Sequence, residues 1–549
     1  MKKFVSLLAC LLLLCFALTA FAACVDNGLE TDELVVYNWA DYIFDYEADF
    51  KAYYKEVTGK NIEITYVTFD TNETMLTRLT QGDSSVDVVC PSEYAIQKLI
   101  ESNMLVPLHY FEEEQYTASF GNAVKGYTHN SGNVEQGIID KVSDAFGNLE
   151  IKATGEHVSM VDYFVPYMYG TLGILYNKYA FAELGIYDVD IMNKANWGIL
   201  FNDDGEGNLL SEGLTGNILM KDSIRDSYAA TIFYMLESGR LNGLKNEDGV
   251  LYTDLSAGEL INAVDDQLLG IVRDVLTAQK QQLFGYEVDF GKDDLLQGNA
   301  IVDLAWSGDA LYAVEESWDD ELGEDGDYEL AYYVPHSTGN IWFDGWVVPK
   351  TYNPSHLTAI KLFINFLNTP YAAAENFMTI GYTPAIRPDV LLNDDSEGGA
   401  RAVLSEGYLV YDPDYWDLID ENGNKLTVDD CDYASWEEFV EYFFDGVDYI
   451  DGSNWRYPFV SADLNSDNNR NLDTLGVMRD FGSKNKAVIT TWNYARSAGT
   501  SALPLLGWTA LAVAVVVGAL FLFIFIKRLL SYRVRLPKES DSVETPTQG

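Results

Sequence analysis

The chain has 549 residues, with 85 acids against 35 lysines and arginines and a formal net charge of −50. That length supports more than one core, and the charge argues against nucleic acid or an anionic membrane surface as a partner. Salt screens such a surface within about 8–10 Å, so total charge by itself identifies no site.

Lys2 and Lys3 precede an apolar stretch from about Phe4 to Leu18, followed by Ala20-Phe21-Ala22-Ala23-Cys24. This predicts an export signal over residues 1–23. Two endings fit: ordinary cleavage after small residues, or a bacterial lipoprotein box that lipidates Cys24, with Phe21 where that motif usually has Leu.

From Leu34 onward short β-like runs alternate with helical stretches, the pattern of an α/β fold. Val35-Val36-Tyr37-Asn38 reads as a buried strand, and where it ends Trp39, Asp41 and Tyr42 arrive together. Two rings and a carboxylate suit an organic cation, through cation–π contact and a charge-assisted hydrogen bond. Core packing of the rings, with Asp41 as a helix cap, fits residues 35–42 as well. Ile62 to Val67 predicts a second strand, Glu73 to Leu79 a helix, Val86 to Val89 a third strand stopped by Pro91, and Ala95 to Glu101 another helix. The third strand ends at Ser92 and Tyr94, and ligands of open α/β sheets bind at strand ends.

Residues 111–157 and 393–473, rich in acids with Gly and Asn or with Tyr and Trp, read as surface elaborations. Farther along, aromatic and acidic residues recur at element ends: Asp222 and Asp226 entering a helix, Trp306 closing a strand, Trp342 and Asp344 two apart on one strand face, and Tyr382 after a helix stopped at Gly381. Leu503 to Ile526 carries no charge and is long enough to span a bilayer. Lys527, Arg528, Arg533, Arg535 and Lys538 follow it, which puts the tail 527–549 in the cytoplasm and the rest outside.

No catalytic or cofactor motif emerges. The five histidines (109, 129, 157, 336 and 356) lack metal-ligand spacing. Ser483-x-x-Lys486 and Ser466-Asp467-Asn468 stand in reversed order for a penicillin-recognising enzyme, with no Lys-Thr-Gly. Asp463-x-Asn465-x-Asp467 lacks the turn glycine and closing acid of a calcium loop. Cys10 and Cys15 fall in the signal and Cys24 is the lipid candidate, leaving Cys90 and Cys431; spacing alone does not establish a disulfide between them, and two unpaired, largely buried thiols are expected.

Eight segments, in order, resemble the spermidine/putrescine-binding proteins that feed polyamine ABC importers. They are residues 37–42, 71–75, 87–94, 165–171, 222–226, 305–308, 341–344 and 380–384, within Leu34 to about Arg387. The resemblance implies an α/β, two-lobed periplasmic-binding-protein-like (type II) fold that closes on a linear polyamine, to which the sequence adds one C-terminal transmembrane helix. Carried over by position, Trp39, Tyr42, Trp306, Trp342 and Tyr382 match an aromatic box. Ser92 and Tyr94 match hydroxyls that contact an amine, and Asp41, Asp226 and Asp344 match its acids, with Asp344 meeting the terminal ammonium. Ser223 stands where the family often has an acid, with Asp222 one residue earlier, which bears on the choice of diamine or triamine.

The expected organisation is residues 32–164 and 338–455 in one lobe, 165–337 and 456–500 in the other, Val165-Pro166-Tyr167 at a crossing, a stalk after Lys486, and a membrane span at 503–526. The expected function is that of a monomeric extracytoplasmic polyamine receptor, not an enzyme, needing no cofactor or metal. It would be tethered by its span, with or without lipid on Cys24, and would serve ABC permease subunits with a cytoplasmic ATPase. A membrane-anchored polyamine sensor signalling through a partner is the alternative.

Overall fold

The computed structural model describes residues 30–82, 85–186, 196–205, 207–317, 329–335, 337–411, 425–428, 431–445 and 474–498. The signal segment, Cys24, His336, the loop at 463–467, the span at 503–526 and the tail lie outside the described residues. Among the described residues no helix is long and apolar enough to cross a membrane.

β1 (Thr31–Trp39) takes β-branched and aromatic residues through a strand whose inner half is buried. It runs parallel to β2 (Asn61–Phe69) over its full length and to β3 (Val88–Val89), in the order β2-β1-β3. α1 (Glu47–Thr58) connects the first two strands, and α2 (Asn72–Thr80) starts where Thr71 accepts the Thr74 N–H. α3 (Glu93–Glu101) starts two residues before the predicted Ala95, because Pro91 ends the strand and extended Ser92 is already its cap. β2 likewise runs past both predicted ends, paired along all nine residues.

An eight-stranded sheet is built around β4 (Val165–Asn177), a strand buried at every position. Its partners are supplied by β5 (Ile218–Lys221), β6 (Leu283–Glu287), β7 (Val302–Trp306), β8 (Leu330–Tyr333), β9 (Gly339–Trp346), β10 (Thr383–Pro384) and β11 (Leu475–Gly476). The main path is β11-β9-β4-β7-β5-β6, with β8 and β10 also paired to β4. Because β9 and β10 meet the same residues of β4, they flank its two edges: Asp344 and Pro384 both pair with Met168. β7 continues along the β10 edge and places Trp306 opposite Leu172.

One core gathers Val36, Phe50, Ile62, Trp346, Phe363 and Phe377. Another gathers Leu172, Ile174, Met220, Phe233, Leu304 and Trp492. β4 feeds both, through Val165, Tyr167 and Met168 in the first and Leu172, Ile174 and Tyr176 in the second. α4 (Ile224–Glu237) and α5 (Asp266–Gln279) cover the second core. α6 (Ser307–Glu316) follows β7 directly, and α7 (Leu357–Leu367) and α8 (Pro370–Ile380) return to the first core. α9 (Asn485–Ser497) comes back to the second through Val488 and Trp492.

The supposed surface elaborations are corrected by burial. Ile138, Val142 and Phe146, spaced by four, form the buried face of a helix within 111–157. Tyr116 and Phe120 enter the first core, as do Leu404, Phe439 and Phe443 from the 393–473 stretch. Polar composition conceals the apolar stripe there. Cys90 and Cys431 form no disulfide; Cys90 is buried as expected, whereas Cys431 is only half-buried.

Between Asp344 and Gly345 the β9–β4 register shifts. A Cβ at Gly345 would meet the Val165 carbonyl at 2.5 Å and collide with the Phe164 ring. Gly345→Ala is therefore expected to lower unfolding free energy by about 1–3 kcal/mol in urea titration; an unchanged midpoint would show that the bulge tolerates a side chain.

Candidate functional site

The residues nominated at element ends converge where β9, β10 and β7 meet the middle of β4. Trp342 pairs with Gly170, Thr383 with Tyr169 and Trp306 with Leu172. Tyr42, on the turn after β1, is buried and presents its ring edge-on to Tyr382 at 5.3 Å and to Tyr167 at 5.7 Å. Trp342 meets Tyr382 at 5.6 Å, again edge to face. These are favourable aromatic geometries. Gly308 at the start of α6 permits the close approach, since a Cβ there would collide with the Tyr382 ring.

Asp344 sits among these rings, 6% exposed. Its Oδ2 accepts the Tyr42 hydroxyl at 3.0 Å, while Oδ1 is buried with no hydrogen-bond partner. Burial pushes its pKa up to about 7, against the pull of the Ser92 and Tyr42 hydroxyls. The backbone of Ser92 bridges to Asp344 antiparallel to β9. Beside it Glu93, 1% exposed, accepts the Phe343 N–H at 3.0 Å and leaves Oε1 unpartnered. Burial raises Glu93 to about 8. Two carboxyls short of donors thus flank one strand, and an ammonium offers both charge and several donors.

A second group lies at the end of β7. The Trp306 indole N–H donates to Asp226 Oδ1 at 3.4 Å, and Asp226 is raised by burial. Ser223 caps α4 by accepting the Asp226 N–H, while Asp222 is tied to Arg496 at 2.5 Å. The acid one residue before the family's usual position is therefore spent on α9. Tyr94 joins this region to Ser92 through Asn72, whose Nδ2 donates to both hydroxyls at 3.0 Å.

Tyr42, Ser92, Trp342, Asp344 and Tyr382 are thus brought together, Trp306 is joined to Asp226, and Tyr94 connects through Asn72. Trp39 is half-buried on Phe69, with ring centres 4.5 Å apart and a buried, unpartnered Nε1. Asp41 is exposed on the turn, at φ 48°. Sequence reading named neither Asn72 nor Glu93 for the site, and gave Tyr167 only a place at the lobe crossing. The first two stand inside the matched segments 71–75 and 87–94, but nothing linear marks them as buried and facing Ser92 or Phe343. Away from these groups, His109 Nδ1 lies 3.6 Å from Glu112 and 3.7 Å from Asp162, a partly exposed cluster that linear spacing does not show.

A profile of the family described as bacterial extracellular solute-binding protein matches residues 48–401. The putrescine-binding periplasmic protein SpuD of Pseudomonas aeruginosa is 24% identical over 368 residues, covering 66% of this chain and 81% of SpuD. The putrescine-binding periplasmic protein PotF of Escherichia coli is 21% identical over 349 residues, covering 63% of this chain and 75% of PotF. Among solved structures, the TpPotD lipoprotein of Treponema pallidum superposes with a TM-score of 0.50 at 16% identity, over 85% of this chain and 99% of that one. That likeness is one of fold.

The raised pKa of Asp344 has a consequence for stability. Below about pH 4 the acid is protonated in both folded and unfolded chains. Between there and about 7 the unfolded chain releases the proton while the folded chain keeps it, so rising pH favours unfolding. Asp344→Asn should therefore be more stable than wild type at pH 8 without ligand, by roughly 2–4 kcal/mol, with the advantage vanishing near pH 4. Equal urea midpoint differences at the two pH values would refute burial as the cause.

Proposed function

The chain belongs to the bacterial extracellular solute-binding proteins, which bind rather than transform their ligands, and we propose that it captures a polyamine, putrescine or spermidine, for an ABC permease. The observation that carries this reading is Asp344: a carboxyl buried among Tyr42, Trp342 and Tyr382, bonded by the Tyr42 hydroxyl and drawn on by that of Ser92, with Oδ1 unpartnered. A primary ammonium supplies the charge and donors that this acid lacks. Its methylene chain suits the surrounding rings, whose faces also favour positive charge. Two relatives named as putrescine-binding support the same ligand class.

The proposed contact set is Trp39, Asp41, Tyr42, Ser92, Tyr94, Asp226, Trp306, Trp342, Asp344 and Tyr382. Asp344 holds one terminal amine and Asp226, beside Trp306, faces the other end. Asp41 meets the ligand from the exposed turn. Capture proceeds by closure of two lobes, one of residues 32–164 and 338–455, the other of 165–337 and 456–500. Leu475 and Val477 pack in one cluster with Tyr37, Phe69 and Phe343, and Met478 packs in the second core, which favours a return near 478. A span at 503–526, with lipid on Cys24 where that residue is the mature N-terminus, would hold a monomeric receptor at high effective concentration over its permease.

Calorimetric titration with putrescine, spermidine and spermine tests the reading, and binding of none of them would sink it. Docking of an ammonium displaces the Asp344 proton, so affinity for putrescine should rise about tenfold from pH 6 to pH 8. Asp344→Asn should weaken binding on the order of 100-fold and abolish that pH dependence. Unchanged affinity in this variant would refute the role given to Asp344.

A further inference from the structure

Away from the proposed capture site, two turns gather one imidazole nitrogen and two carboxylate oxygens. His109 Nδ1 is buried and has no hydrogen-bond partner. Glu112 Oε1 stands 3.6 Å from it and Asp162 Oδ1 3.7 Å, too far to bond directly. All three atoms lie within 4.8 Å of one another, and among the described residues no other three such ligand atoms come this close. Ligand atoms at about 2.0–2.2 Å from one tetrahedral ion stand about 3.4 Å apart. Gaps that are wrong for hydrogen bonds are therefore nearly right for a shared cation. The backbone fixes the arrangement beforehand. The Leu108 and His109 N–H groups both donate to the Asp162 carbonyl, at 2.7 and 2.9 Å, and the Glu112 N–H donates to the His109 carbonyl at 3.0 Å. Leu108 and Met160, each buried, anchor the two turns. Gln115 Nε2 donates to Glu112 Oε2, which orients that carboxylate and leaves Oε1 for the site.

We infer that His109, Glu112 and Asp162 form a structural site for one divalent transition ion of the zinc class, with water completing its coordination. A nitrogen beside two carboxylate oxygens suits such an ion, whereas calcium takes oxygen ligands throughout. The two carboxylates balance the charge of the dication. Side-chain exposures of 54% for Glu112 and 37% for Asp162 give it a path from solvent. Asp162 lies three residues before Val165, where β4 begins. A bound ion thus clamps the turn at 108–112 to the segment that enters the central strand.

The test strips the full chain with a chelator and titrates it calorimetrically with Zn²⁺ alone, then with Co²⁺ followed by visible absorption. One Zn²⁺ per chain should bind with a micromolar Kd, and Co²⁺ should give the strong absorption of a four-coordinate ion. Saturating Zn²⁺ should raise the thermal unfolding midpoint by a few degrees, because the ion holds the folded turns together. His109→Ala and Glu112→Gln should each weaken Zn²⁺ by about tenfold or more and remove the thermal shift. Glu112 is exposed, so its variant tests the site even where His109→Ala disturbs the fold, and circular dichroism checks both. Zn²⁺ affinity unchanged in either folded variant, or wild-type binding no tighter than millimolar, overturns the site.

Discussion

A carboxyl taken out of water must find donors or keep its proton, and Asp344 sets the terms on which the candidate site is assembled. It lies on β9, the strand that pairs with β4 and shifts register one residue later. The Gly345 N–H reaches the Pro91 carbonyl at 3.2 Å, and Ser92 bridges to Asp344 from the same turn. The end of the β1–β3 sheet is thereby fastened to β9, the neighbour of β4 in the larger one. Glu93 takes the Phe343 N–H, so consecutive residues of β9 answer to two buried acids. Neither acid is fully satisfied. A fold that keeps two such groups carries a standing cost, and buried groups perturbed in this way cluster at functional sites.

The rings around Asp344 are fixed from several directions. Asn38 Nδ2 donates to the Tyr42 carbonyl at 3.1 Å, and the Tyr167 hydroxyl lies 3.0 Å from the same oxygen. That hydroxyl is also 2.9 Å from Asn376 Oδ1, which accepts the Phe44 N–H. Tyr167 in turn packs on Trp346, which meets Phe363 of α7. Residues from the first strand, the central strand and α8 therefore hold one aromatic corner. A site braced this way presents its geometry before a ligand arrives, which lowers the ordering cost of binding.

Much of this was legible in the linear sequence, and for a definable reason. Trp39, Tyr42, Trp306 and Tyr382 stand at or near the ends of elements, where aromatic and acidic residues break the apolar run, while Trp342 and Asp344 lie within β9. Period two alone puts Trp342 and Asp344 on one face of β9. What stayed hidden depends on pairing between distant segments. Nothing near Lys221 says that its ammonium will lie on a ring 85 positions later, because the β5–β7 register brings them together. Asn72 looks like an ordinary first-turn residue until α2 and α3 are packed. The stretch 111–157 was misjudged for a different reason: its many acids and glycines outweighed the four-residue spacing of Ile138, Val142 and Phe146.

Asp41 and Asp344 show why a net charge of −50 does not explain recognition of a cation. Asp41 is exposed, and an ion pair formed there is worth about 0–1 kcal/mol and is screened by salt. Any cation, inorganic or organic, meets acids of that kind all over the surface. Asp344 is different because it is dry. A hydrated sodium or potassium ion entering its ring-lined surroundings would give up water for one carboxyl and aromatic edges, which replace little of that hydration. An alkylammonium loses less: its head brings three N–H donors to the acid, and its carbon chain prefers the rings to water. On the proposed reading, discrimination among cations comes from the few buried acids, while the exposed majority keep the protein soluble.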